Sequence, residues 1–175
     1  MFTDLLADTL KYDDHNRRGL RPVTPERAAR RAKLLNEHNI LIVGRFTAEH
    51  TRIDGTEVGV HVIRIGGGSE TTHPLRSEGE FRSVYRMSVL DVDTGEAIQD
   101  AEIKRLTEVF SALRGSMAQN PEVVMFHCFA GQQRSATVAL AFAKYMNDSE
   151  AMDLILENDL YVPLMSIYDK IVKAF

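Results

Sequence analysis

One cysteine, Cys128, is all the thiol this sequence contains. A lone thiol excludes an intramolecular disulfide framework, and the chain reads as a protein of a reducing compartment, the cytoplasm. Basic charge is not in surplus: 21 Lys and Arg stand against 25 Asp and Glu, for a net charge of −4. That balance speaks against a general nucleic-acid binder. No apolar run approaches the ~20 residues that a membrane-spanning helix needs. The start, MFTDLLADTL, carries Asp4 and Asp8 without a basic cluster, so no secretory signal is expected. The six histidines show no ligand-like spacing, and no metal site is expected from them. The glycine-rich stretch Ile65 to Glu70 lacks the Gly-Lys-Ser/Thr ending of a nucleotide loop and reads as a turn.

What is present fits a single domain over residues 1–175, with a hydrophobic fraction of 44%. Residues 1–22 form a lead-in, a short apolar stretch followed by the polar run YDDHNRRGLRP. Thr24-Pro25-Glu26 is a helix start, with Thr as cap, Pro at the first position and an acid at the positive end. That helix should run to about His38, with Arg27, Arg30, Arg31 and Lys33 on its solvated face or, alternatively, docking an acidic partner. Arg17, Arg18 and Arg21 read similarly. Strands are expected over 40–43, 58–65, 84–92 and 123–126. Ile103, Leu106, Phe110 and Leu113 recur at helical spacing, giving a helix from about Asp100 to Arg114 ended by Gly115. An alanine-rich helix should span 135–146. A final one from Pro163 places Leu164, Ile167, Ile171 and Phe175 on one face. Strands alternating with helices predict an α/β fold, a central mainly parallel or mixed sheet flanked by helices on both faces.

The thiol sits in FHCFAGQQRSAT, residues 126–137. A buried strand enters this stretch and a helix leaves it, so Cys128 to Arg134 is a strand-to-helix turn. Such a turn points several backbone N–H groups at the positive end of a helix dipole, a cradle sized for phosphate. The same N–H groups, the dipole and Arg134 favour a thiolate, the nucleophilic form of cysteine. Gly131 permits the tight turn. Arg134 offers a planar fork that grips two oxygens at once.

His127-Cys128-x-x-Gly131-x-x-Arg134-Ser135 resembles the HCxxGxxR(S/T) signature of the cysteine-dependent protein-tyrosine-phosphatase superfamily, in its dual-specificity branch. Residues 84–146 carry the resemblance. It implies that Cys128 attacks phosphorus and forms a phosphocysteine. Arg134 and the N–H groups of Phe129, Ala130, Gly131, Gln132, Gln133 and Arg134 would hold the phosphoryl oxygens. Ser135 would hydrogen-bond the sulfur and help it leave, and His127 would be a buried orienting residue. No cofactor or metal is implied. The family draws its general acid from an Asp ~30 residues before the cysteine, at a strand end. Asp93, followed by Thr94, is the expected acid; Asp91 is the alternative, and Asp100 reads as a helix cap.

Relatives acting on inositol phosphates carry basic residues inside the loop, whereas Phe129, Ala130, Gln132 and Gln133 supply none. The expected substrate is therefore a phosphoprotein, on phosphotyrosine and phosphoserine/threonine, with lipid or RNA 5′-phosphates as the alternative. A loop carrying Arg17, Arg18 and Arg21 could reach such a phosphosubstrate. Asn158-Asp159-Leu160-Tyr161 stands where an Arg-Pro pair is common in the family. The other readings are a phosphoprotein-binding module without turnover and a rhodanese-like sulfurtransferase. The protein is expected to act as a monomer, away from membranes and nucleic acid.

Overall fold

The computed structural model describes residues 9–14, 20–51, 53, 58–67, 74–76 and 78–175. Residues 1–8 of the lead-in, Arg17 and Arg18, and the expected turn after Gly67 lie outside the described residues. Strands β1 (Tyr12–Asp14) and β2 (Leu20–Pro22) pair antiparallel as a small hairpin. Helix α1 (Pro25–His38) begins where its sequence demands: Thr24 accepts the N–H of Arg27 and Pro25 fills the first position. Asn39, in the left-handed conformation at φ 59°, ends it by donating to Leu34 and Leu35.

Four strands then build the sheet: β3 (Ile40–Gly44), β4 (Gly59–Gly66), β5 (Ser83–Ser88) and β6 (Glu122–Cys128). Their spatial order is β3-β6-β4-β5 and every pairing is parallel, so of the parallel and mixed alternatives the sheet is the parallel one. A parallel sheet is buried on both faces, and β6, between two neighbours, is buried along its whole length. Its side chains alternate. Val124, Phe126 and Cys128 join one core with Ile63 and Ile65 of β4, and Val123 and Met125 join the other with Val60 and Val62.

Helices cover both faces. Helix α1 gives Leu35 to the second core and Leu34 to the first, and α2 (Arg45–His50) packs on the second core through Ala48. The first face carries α3 (Asp100–Met117), α4 (Arg134–Tyr145), α5 (Ser149–Leu156) and α6 (Met165–Val172). Helix α4 is buried without a break from Arg134 to Ala143, its small residues admitting close neighbours on every side. No described helix is long and apolar enough to cross a membrane.

Four expectations change. Strand β5 ends at Ser88 rather than Val92, because Leu90 turns to donate to Ala97 and the exposed 90–94 segment leaves the sheet. Gly115 does not stop α3, which continues to Met117; among the described glycines with positive φ is Gly131 but not Gly115. Of the basic residues of α1, Arg30 and Lys33 are exposed as expected, but Arg31 leaves the solvated face. Arg31 is buried and donates to the carbonyls of Leu10, Tyr12 and Ile42, Arg27 pairs with Asp159 at 2.7 Å, and Arg30 donates to the carbonyl of Glu157. The hairpin, α2 and α5 were not expected at all.

Candidate active site

The parallel register brings all four strand ends to one edge: Gly44 lies opposite Cys128, His127 opposite Arg64, and Gly66 opposite Ser88. Loops at this edge are where an open α/β sheet exposes its site. Cys128 is the last residue of β6 and Arg134 the first of α4, so the cysteine loop spans the edge at its centre.

Hydrogen bonds on the outside of the loop set the direction of its inside. Phe129 accepts from the N–H of Arg45, Gln132 from that of Val162, and Gln133 from the N–H and hydroxyl of Thr137, at 2.8–3.0 Å. A trans peptide places N–H opposite C=O, so the N–H groups of Ala130, Gln133 and Arg134 point the other way, into the concavity. Gly131 makes the turn at φ 73° and lies against β3, where a Cβ would come within 2.4 Å of Gly44 N and Val43 C. The Arg45 guanidinium covers the Phe129 ring at 4.6 Å. Gln132 reaches the buried carboxylate of Asp13 in the hairpin, at 3.4 Å, which itself pairs with Arg21.

Within this frame Cys128 Sγ and Ser135 Oγ are 3.2 Å apart, and both residues are buried. Arg134 is 2% exposed; its Nη1 donates to the carbonyl of Val89 and its Nε lies 3.6 Å from Asp91 Oδ1. Gly67, just past β4, packs on the same guanidinium: a Cβ there would stand 3.0 Å from Arg134 Nη1 and 2.6 Å from Val89 O. His127 is buried beside the cysteine, and its imidazole is pushed down to about 3, first by burial and then by the charge of Arg64.

The structure separates the two candidate acids. Asp91 is exposed at the mouth and faces Arg134. Asp93 accepts the N–H of Ser166 at 2.8 Å and so serves the start of α6. Asp100 pairs with Lys170 at 3.0 Å. Sequence reasoning missed Gly67, Val89, Arg64 and Glu49 around the site, since a lone residue on a strand or short helix carries no signal until the register is known. One grouping among the described residues has ligand-like closeness, Glu37, His38 and Glu150, but the Lys33 ammonium already sits on Glu150.

No protein-family model matches the sequence, and no curated protein does. Solved structures do match. The human tyrosine phosphatase-like serine/threonine/tyrosine-interacting protein aligns over 78% of this chain and 91% of its own, at TM-score 0.59 and 15% identity. This is the fold of the dual-specificity phosphatases. Human DUSP28 aligns over 78% of this chain and 92% of its own at TM-score 0.54 and 17% identity. PTPMT1, solved in complex with PI(5)P, covers 78% and 89% at TM-score 0.54 and 19% identity. In this dual-specificity-phosphatase-like fold the cysteine loop, Arg134 and Ser135 stand together at the carboxyl edge of the sheet, with the exposed Asp91 beside Arg134.

Proposed function

We propose that the protein hydrolyses phosphomonoesters through a phosphocysteine at Cys128. The observation that carries this reading is the buried Cys128 Sγ with Ser135 Oγ 3.2 Å away, at the base of a strand-to-helix loop that ends in the buried Arg134. The thiolate attacks phosphorus, the phosphorus–oxygen bond breaks, and the leaving oxygen takes a proton from a carboxylic acid at the mouth. Water then attacks phosphorus, the sulfur–phosphorus bond breaks, and the water proton passes to the same carboxylate. Arg134 and the loop N–H groups hold the phosphoryl oxygens, whose charge they meet throughout. The Ser135 hydroxyl supports the departing thiolate. Gly131 and His127 shape the loop, and Phe129, Ala130, Gln132 and Gln133 lend backbone rather than charge.

The sequence pattern favours Asp93 as the acid, but the geometry favours Asp91, which lies at Arg134 while Asp93 is committed to the start of α6. The substrate proposed is a phosphoprotein, carrying phosphotyrosine and phosphoserine/threonine, because the loop offers no basic side chain for additional phosphates. One observation favours a phosphate-reading module: if Asp93 were the only usable acid, its bond to Ser166 would keep it from the leaving group. Hydrolysis of an aryl phosphate in EDTA, inhibited by vanadate and lost in Cys128→Ser, is the test. Binding of phosphate without hydrolysis would replace the enzyme with the module, and activity that requires a divalent ion would contradict both.

A further inference from the structure

Behind the cysteine loop, on the α2 face of the sheet, His127 belongs to a buried polar trio whose other two members, Arg64 and Glu49, the proposed chemistry does not use. Arg64 on β4 and His127 on β6 are register partners on the same face as Val62 and Met125, and both are almost fully buried. Arg64 Nε donates to His127 Nε2 at 3.0 Å, and Arg64 Nη2 reaches Glu49 Oε1 of α2 at 3.4 Å. Glu49 also faces Arg45 at 3.8 Å, whose N–H and guanidinium hold Phe129. The two cations that meet at Glu49 therefore touch the chain on either side of Cys128, at His127 and at Phe129.

The chemistry of the donor fixes the state of the ring. A guanidinium has donors and no acceptor. The nitrogen it points at must offer a lone pair, so Nε2 carries no proton and the imidazole is neutral. Its proton is on Nδ1. That nitrogen is buried without a hydrogen-bond partner, in a ring that neighbours the backbone of Cys128. The ring is thus pinned from the Arg64 side, next to the residue where the loop begins. The charge on Arg64 is itself buried, and Glu49 offsets it.

We infer that Arg64, seated on Glu49, is a positioning residue for the phosphate loop: it locks His127 as the neutral Nδ1–H tautomer and so pins the ring where the loop begins. This rests on the phosphatase reading for its purpose but not for its test. Nitrogen-15 NMR of the histidine-labelled protein should show His127 as the single Nδ1–H tautomer. In Arg64→Met that tautomer should be lost, and affinity for inorganic phosphate should fall about tenfold, the loss of roughly one hydrogen bond to a charged group. Arg64→Lys, which keeps a donor, should restore the tautomer and most of the affinity. An Nε2–H tautomer in the wild-type protein overturns the inference even if no variant folds. So does Arg64→Met with the Nδ1–H tautomer and phosphate affinity unchanged. A wild-type protein with the expected tautomer and no hydrolysis would refute the phosphatase reading and leave the positioning role standing.

Discussion

Replacing Gly131 with alanine tests how closely the cysteine loop is fitted to the sheet. The added Cβ meets backbone on every near side: 2.4 Å from Gly44 N and from Val43 C, and 2.7 Å from Val43 O, where ordinary contact begins at 3.4 Å. No side chain can swing away to relieve it, so loop and β3 must part by about 1 Å. The left-handed φ of 73° adds its own cost. Strain of about 1–2 kcal/mol from the dihedral and about 1–3 kcal/mol from overpacking gives roughly 2–5 kcal/mol of destabilisation. For a chain of this size that corresponds to a Tm lower by roughly 5–15 °C. A shift of about 1 Å in groups that hold the reacting phosphorus costs on the order of a hundredfold in kcat/KM. Thermal unfolding and aryl phosphate kinetics on the same sample measure both. A variant within about 0.5 kcal/mol and threefold of the parent would show that the loop does not depend on its seat against β3.

The buried, neutral His127 should make the fold sensitive to acid. Its folded value near 3 lies below the ordinary 6.5, so the unfolded chain binds a proton first and stability is lost as pH falls through that interval. At pH 5 the loss is about 2 kcal/mol relative to pH 7.5, read by urea unfolding. His127→Gln should remove this part of the slope, and an unchanged slope would contradict it. Asp91→Ala should slow alkyl phosphates by about 10²–10⁴ and activated aryl phosphates far less, whereas Asp93→Ala should cost about 1 kcal/mol of stability through the start of α6. The reverse assignment would follow if Asp93→Ala alone showed the leaving-group dependence. Peroxide should inactivate the protein through Cys128, since the sequence has no second cysteine to form a protecting disulfide, and inorganic phosphate should slow this. Mass measurement showing an unmodified Cys128 in inactivated protein would refute that.

The elements with local signals were legible in the sequence. Thr24-Pro25 marks the start of α1 because capping and proline geometry act within a few residues, and β6, the cysteine loop and α4 follow from a signature whose spacing is itself the structure. Helix α2 is six residues long, too short to show a period, and the β1–β2 hairpin has three residues a side. The end of β5 was misplaced because Leu90 and Val92 continue the apolar alternation while their side chains stand in solvent. Arg31 looked like surface because a buried arginine depends on carbonyls from two other segments, Leu10 and Tyr12 before it and Ile42 after it, which its own helical pattern does not show. The acid divides for the same reason. Asp91 and Asp93 share a turn in the sequence, and only the position of α6 tells which one is taken.

The phosphocysteine tests the central claim most directly. Ser135→Ala removes the hydroxyl that lies 3.2 Å from Cys128 Sγ and should slow the second step more than the first. Mixed with an aryl phosphate in EDTA and quenched in acid within its first turnover, this variant should yield a peptide with one phosphoryl group on Cys128. Wild-type turnover should vanish in Cys128→Ser. Hydrolysis that persists in Cys128→Ser, or turnover in the Ser135→Ala variant with no phosphoryl group on Cys128, would contradict the assignment of the cysteine as nucleophile.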